Sequence, residues 1–249
     1  METAARTTSV ALSRGRWLRR LGTLLIVAGV CGLVWALVTW QWNDPLTAVY
    51  TRWQQSRLED QYRAVVEREA PRPPAAALQA DPSEVAAVVR ESARRYRANA
   101  QEGGAIGRIV VPRLGLDMIF VNGTDSGTLK KGPGRDPRTF MPGQGELVYI
   151  AGHRTTYLAP FSHIDRLRPG DRVTLEMPYA TFAYRVTGHR IVAADDLSVL
   201  RSHGREVVAL QACHPRFFAT HRYIVWARPV RMLERAGRVY ALPVTAAAR

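Results

Sequence analysis

Lysine is almost missing from this chain: of 35 basic residues only Lys130 and Lys131 are not arginine. A protein needing nothing but positive charge would use both types, so the bias reads as genome base composition and points to a GC-rich bacterial source. Cysteine is nearly as scarce. Two cysteines exclude a disulfide framework. No internal repeat and no glycine motif for a nucleotide cofactor occurs, and after Gly104 no pattern of long amphipathic helices. Long apolar runs are limited to one, which excludes a multi-span membrane protein. A 47% hydrophobic and 22% charged composition excludes a chain disordered throughout. The 249 residues leave room for one substantial domain with attachments. Against 21 acidic residues the formal charge is +14, which suggests an anionic neighbour: nucleic acid, membrane or cell wall.

The single apolar run, Leu21 to Trp40, carries no charge and has the roughly 20 residues a helix needs to cross the hydrocarbon core. Trp17 stands at its near edge, and Trp35, Trp40 and Trp42 towards the far one, where indole rings favour the interface. Arg6, Arg14, Arg16, Arg19 and Arg20 precede the span while Asp44 and Arg52 follow it. The positive-inside rule then leaves residues 1–20 in the cytoplasm, 21–42 as a single-pass anchor in the cell membrane, and the remainder extracytoplasmic. A cleaved signal peptide would be shorter and end in small residues, yet this run ends Val-Thr-Trp-Gln-Trp. A lipidated Cys31 would need a small residue where Val30 stands, so Cys31 reads as an apolar residue of the span. Outside a membrane, nucleic acid is no longer the expected partner; an anionic envelope is.

Residues 43–104 read as a stalk. Asp44-Pro45 resembles an N-cap and first helical turn for a helix to Glu69, and Pro71, Pro73 and Pro74 break it. Asp81, Pro82 and Glu84 then open a second helix to about Ala98, ended by Gly103-Gly104. A polar spacer is favoured over helices docked on the domain. Beyond Gly104, residues 106–111, 116–121, 147–151, 172–176, 181–192, 207–212 and 223–230 read as strands. Seven to eight short strands argue for an all-β sandwich or closed barrel over 105–236, since a sheet of that size must cover or eliminate its edges. Residues 237–249 read as a frayed tail.

With Cys31 in the span, Cys213 is unpaired outside it. It is either a small core residue or a reactive nucleophile. Its position, where Pro215 stops the run 207–212, puts the thiol at a strand end, a rigid support for chemistry. A thiol working near neutral pH needs a base or a cation nearby. Among six histidines, His153 alone follows a strand-like run, Leu147–Ala151, through Gly152; the others stand in polar or loop contexts. Arg222 opens the strand after Cys213, where a strand-initial arginine is ordinarily just solvated.

Together these residues make the chain similar to the sortases, membrane-anchored cysteine transpeptidases of Gram-positive bacteria. Ile109-Val-Val-Pro-Arg-Leu-Gly-Leu116, Leu129-Lys-Lys-Gly-Pro-Gly134 and Met141-Pro-Gly143 resemble the family's opening segments. Ala151-Gly-His-Arg-Thr-Thr-Tyr-Leu-Ala-Pro-Phe161 is close to the histidine motif of class E members. Leu167-Arg-Pro-Gly-Asp171 resembles the following turn, and Ala209-Leu-Gln-Ala-Cys-His-Pro215 the cysteine motif, with Arg222 at the usual distance. The resemblance covers about 104–232 and implies a sortase-like closed β-barrel with short helices.

The same resemblance implies cleavage of a secreted protein's C-terminal sorting signal, of Leu-Pro-x-Thr-Gly or Leu-Ala-x-Thr-Gly type, between Thr and Gly. Cys213 is the implied nucleophile, His153 the acid and base, Arg222 the oxyanion donor, and the amine of a peptidoglycan precursor the acceptor. No metal or other cofactor is implied. Tyr157, Leu158, Phe161, Ala212 and His214 are candidates for substrate contact. Where the family carries threonine, this chain has Ala209 and Ala212. A lost hydroxyl bond there is worth on the order of 1 kcal/mol, with altered specificity or activity as the consequence. Two other readings compete: a degenerate barrel that only binds the envelope, and another wall-active cysteine enzyme. Ser202-His203-Gly204-Arg205 echoes an L,D-transpeptidase signature but lacks its cysteine, and papain-like enzymes place Cys before His.

Overall fold

A computed structural model describes residues 7–42, 45–69, 82–234 and 239–241. It divides into two units, Met1–Pro45 and Leu46–Arg249. In the first, helix α1 (Thr7–Trp42) contains the one segment among the described residues long and apolar enough to cross a membrane, Trp17–Leu37. Leu24, Ile26 and Leu33 on it are exposed, as lipid-facing side chains are.

The second unit is built on β1 (Ala105–Val111), β2 (Leu116–Asn122), β3 (Gly134–Arg135), β4 (Leu147–Ala151), β5 (Arg172–Glu176), β6 (Ala180–Ala193), β7 (Val207–His214) and β8 (His221–Glu234). The eight run β6-β5-β1-β2-β3-β4-β7-β8, and β8 pairs back onto β6 to close a barrel. Two pairings, β2 with β3 and β4 with β7, are parallel, so the sheet is not wholly antiparallel. The period of two decides what each strand buries. Val148, Ile150, Val208, Leu210, Ala212, Tyr223 and Val225 point into the main core. Their neighbours Leu147, Tyr149, Ala209 and Ile224 lie on the outer face under Val199 and Leu200. One residue of slip would exchange the two sets.

Two expectations are corrected. β9 (Val239–Ala241) adds to β8, pairing Leu233 with Val239, so the stretch read as a frayed tail contains a strand. Residues 242–249, like the proline-rich 70–81, lie outside the described residues. Nor is 43–104 a free spacer, because both of its helices pack on the barrel. On α2 (Pro45–Glu69), the Gln55 amide donates to the carbonyls of Ile119 (2.9 Å) and Lys131 (2.8 Å) and accepts from the Ile119 N–H (2.8 Å). This pairs the part of β2 that the two-residue β3 does not reach, an otherwise open edge. Gly132 is required there: a Cβ would meet the Gln55 amide at 2.5 Å. On α3 (Pro82–Asn99), Val85, Val89, Ala93 and Tyr96 form a buried stripe in the main core. Each valine contributes about 1.5–3 kcal/mol of burial. A polar composition concealed both contacts, one made by Gln55 with Thr51, Leu58 and Tyr62 and the other by a four-residue stripe.

Candidate active site

The ends of three neighbouring strands converge on the outer face. In the β7–β8 ladder Cys213 pairs directly with Arg222. On the other side of β7, β4 runs parallel with Ala151 opposite Gln211, and the Gly152 N–H extends the pairing by donating to the Gln211 carbonyl at 3.0 Å. His153 therefore leaves β4 beside the strand that delivers Cys213 two residues later. A side chain on Gly152 would meet the Phe161 ring at 2.7 Å, so glycine is what lets the chain turn beneath that ring.

The loop after His153 closes on itself through the Phe161 N–H to the His153 carbonyl at 3.1 Å. Tyr157, Leu158 and Ala159 hold φ of 53°, 60° and 40°. Three consecutive non-glycine residues in the left-handed region cost roughly 1–2 kcal/mol each. What holds them comes from elsewhere: Thr47 Oγ1 on α2 accepts from the Tyr157 N–H at 2.9 Å, the Tyr50 ring meets that of Tyr157 edge-on, and the Lys130 ammonium stands 5.9 Å from it. In this position the Tyr157 ring lies 5.0 Å from the His153 imidazole. His153 Nε2 is buried with no hydrogen-bond partner among the described residues. Burial, and then the charge of Lys130, push the His153 pKa below its ordinary 6.5, so the ring is neutral at neutral pH.

Arg154 is the residue that sequence reasoning passed over. Its side chain is buried, and the fork donates to the Cys213 carbonyl at 3.2 Å, to His214 Nδ1 at 3.0 Å and to Asp165 Oδ1 at 2.9 Å. It thereby ties the histidine loop to the cysteine strand. Because a guanidinium only donates, His214 Nδ1 must be the unprotonated nitrogen. Burial and then the positive charge of Arg154 lower the His214 pKa to match. Burial works to raise the Asp165 pKa, but its own backbone N–H and the Arg154 fork outweigh that and hold it below the ordinary carboxylate value. The position of Arg154, one residue after the candidate base, was the available signal.

The remaining candidates divide. Ala212 and Phe161 are fully buried in the main core, which removes them from any substrate-contacting surface. A threonine at 212 would likewise direct its hydroxyl into the barrel. Tyr157 and His214 are half-buried beside His153 and Arg154, and Leu158 lines a recess of about 200 Å³ with Arg52 and Met118. Two residues not anticipated stand on the β7–β8 loop: Phe217 and Phe218 are 60% and 78% exposed within five residues of Cys213. Arg222 Nη1 donates to the carbonyls of Ala219 (2.8 Å) and His221 (2.9 Å), folding the guanidinium over that same loop. No group of three or more metal-ligating side chains forms among the described residues.

Known proteins share both sequence and fold. The Sortase domain family model matches residues 109–230. Sortase D of Bacillus subtilis is 30% identical over 134 residues, covering 52% of this chain and 66% of that protein. Sortase SrtE1 of Streptomyces coelicolor is 31% identical over 97 residues, 35% of this chain and 27% of that protein. The chain thus spans less than two thirds of the length of these relatives. Among solved structures, Sortase E1 of Streptomyces coelicolor, determined with a tripeptide in its active site, superposes with TM-score 0.50 at 26% identity. It covers 55% of this chain and 95% of that one. The SrtA sortase of Actinomyces oris gives 0.52 at 28% identity, with 56% and 88% covered. With its eight-stranded barrel closed through β6 and β8 and the family's domain running from β1 to β8, the chain belongs to the sortase family.

Proposed function

We propose that this sortase is a transpeptidase of the cell envelope that uses Cys213, His153 and Arg222 to join a secreted protein to an amine. The observation that carries the reading is the strand register, which pairs Cys213 with Arg222 and delivers His153 from the parallel neighbour. The neutral His153 imidazole first takes the proton of the Cys213 thiol, and the resulting thiolate attacks the carbonyl carbon of the Thr in a Leu-Pro-x-Thr-Gly or Leu-Ala-x-Thr-Gly signal. The carbonyl oxygen takes up the negative charge. Arg222 stabilises it with a fork of donors that lysine does not reproduce, exchanging the Ala219 and His221 carbonyls for the oxyanion.

When the C–N bond breaks, the leaving glycine amine takes its proton from the protonated imidazole of His153. A thioester remains on Cys213. The neutral imidazole then accepts a proton from the incoming amine, nitrogen attacks the thioester, and the thiolate leaves, so acyl-transfer potential is kept without nucleotide or metal. The acceptor is an amino group of a peptidoglycan precursor.

Substrate entry requires the Tyr157 ring to swing from His153, and the strained Tyr157–Ala159 turn supports such a movement. Phe217 and Phe218 supply apolar surface for the signal's leucine. The arginines ahead of the apolar run, Arg6, Arg14, Arg16, Arg19 and Arg20, support a cytoplasmic N-terminus with the barrel outside. The test is turnover of a fluorogenic sorting peptide. Wild-type chain should cleave it between Thr and Gly, and Cys213→Ala should not; equal turnover by the two would end the nucleophile assignment.

A further inference from the structure

Helix α2 carries two unlike faces. Thr51, Gln55, Leu58 and Tyr62 meet the barrel: Thr51 donates to the Lys130 carbonyl at 3.0 Å, and Leu58 and Tyr62 pack with Ala105, Ile119 and Val121. At about 3.6 residues per turn, Val49 and Trp53, two positions either side of Thr51, fall on the opposite face. They are 65% and 53% exposed, and Tyr50 beside them is 40% exposed. The Tyr50 and Trp53 rings lie 6.3 Å apart, and the Arg57 guanidinium stands over the Trp53 indole at 4.8 Å. Charge changes midway along the helix. From Pro45 to Leu58 there are two arginines, Arg52 and Arg57, and no acid; Glu59, Asp60, Glu67 and Glu69 all follow. Among the described residues, the exposed large apolar side chains of α2 are confined to that same first half.

The apolar and basic half is the one next to the apolar run in the chain. Pro45 follows Trp42, the last residue of α1, by three positions, so at most about 10 Å of chain joins the two helices. Tryptophan and tyrosine rings favour the level of lipid headgroups, where one end of the side chain is apolar and the other wet. Arginines beside them meet the phosphates, and a helix with that composition on one face lies in the plane of the interface. A second copy of the chain is the poorer occupant, because a stable dimer needs roughly 20 residues a side and three apolar side chains do not supply that.

We propose that the first half of α2 lies in the headgroup layer of the membrane, with Val49 and Trp53 towards the acyl chains and Arg52 and Arg57 on lipid phosphates. Thr47 and Tyr50 in that half also hold Tyr157, so the bilayer surface and the histidine loop share one support. The proposal rests on the membrane anchor and not on the transpeptidase reading. Spin labelling of the full chain in nanodiscs containing phosphatidylglycerol tests it. In a Cys31→Ala/Cys213→Ala background, one nitroxide is attached at a time through Leu33→Cys, Val49→Cys, Trp53→Cys or Asp60→Cys, the last being two turns beyond Trp53 on the same face. Power saturation then compares access by oxygen, which concentrates in lipid, with access by a water-soluble nickel chelate. The oxygen-to-nickel ratio should be high for Leu33→Cys and at least threefold higher for Val49→Cys and Trp53→Cys than for Asp60→Cys. Adding Arg52→Gln/Arg57→Gln should lower the ratio for Val49→Cys at least twofold. Without any label, the emission lost on Trp53→Phe should be quenched at least twofold when brominated lipid replaces ordinary lipid. A high ratio for Leu33→Cys with equal ratios for Val49→Cys, Trp53→Cys and Asp60→Cys would overturn the proposal and leave the anchor standing. A low ratio for Leu33→Cys would overturn both. Low access by oxygen and nickel alike at Val49→Cys and Trp53→Cys, with dipolar broadening between labels, would assign the face to a second copy and overturn the membrane contact. A Trp53 emission indifferent to bromine would overturn it as well, and a ratio unmoved by the arginine changes would overturn the phosphate contacts.

Discussion

The two arms of the proposed active site are held by different physics. Cys213 and Arg222 sit in a backbone ladder, where neighbouring hydrogen bonds fix both partners whatever the surroundings do. His153 stands one residue beyond the ladder, and the loop that covers it depends on Thr47, Tyr50 and Lys130 from other parts of the barrel unit. The first arm is set by register, the second by packing. One is built to stay and the other to open, which suits a thiol that must be positioned and an imidazole that must be uncovered.

If that contrast is right, damage to the ladder arm abolishes chemistry without unfolding the barrel. Arg222→Lys, which keeps the charge but loses the fork, should lower kcat/KM roughly 100- to 1000-fold in peptide cleavage. A loss under threefold would remove Arg222 from the oxyanion role. Arg154→Ala addresses the link between the arms. It removes the fork from the Cys213 carbonyl and leaves His214 Nδ1 without its donor. Turnover should fall at least tenfold, with about 1–3 kcal/mol of stability lost in urea titration. Arg154→Lys should recover stability better than rate, because one ammonium can pair Asp165 but not span all three partners.

The loop arm should respond in its pH behaviour. Tyr157→Ala uncovers His153, so the NMR titration of that imidazole should move up towards 6.5 from its lowered position. The sign for stability follows: with the folded pKa below the unfolded 6.5, the unfolded chain binds the proton first as pH falls. The contribution is complete above 6.5 and is lost as pH drops through the folded value. Tyr157→Ala should flatten that slope.

Ala212→Thr is expected to cost about 1–3 kcal/mol, since the added hydroxyl enters the main core, and to bring no gain in rate. A faster enzyme would mean the side chain reaches the substrate. Smallest is the double change Phe217→Ala/Phe218→Ala: KM rising a few-fold at constant kcat and constant melting temperature, because both rings stand in solvent.

How much of this could be read from the chain alone follows the same division. Strands announced themselves by apolar runs, and β4 and β5 fall where the runs place them, at Leu147–Ala151 and Arg172–Glu176. Residues at strand ends, Cys213 and Arg222, were legible for that reason. β3 was not, since two residues carry no period, and neither was β9 behind Glu234. The docking of α2 combines an apolar contact of Leu58 and Tyr62 with side-chain bonds from Thr51, Gln55 and Tyr62 to backbone groups, partners that no side-chain pattern encodes. Phe161 looked like a groove residue because it follows His153 in the chain. Its ring instead lies against Gly152 inside the core, a contact visible only once the loop has closed. Arg154 hid behind its neighbour, its three partners being 11 to 60 positions away in sequence.

The most direct test of the account is intact-mass spectrometry of the full chain in micelles after incubation with a sorting peptide, with and without an added amine. The account predicts a thioester adduct on Cys213 equal to the peptide minus its glycine-containing fragment, discharged when the amine is present and absent in Cys213→Ala. Cleavage that proceeds with no adduct on Cys213, or an adduct that persists in Cys213→Ala, would contradict it.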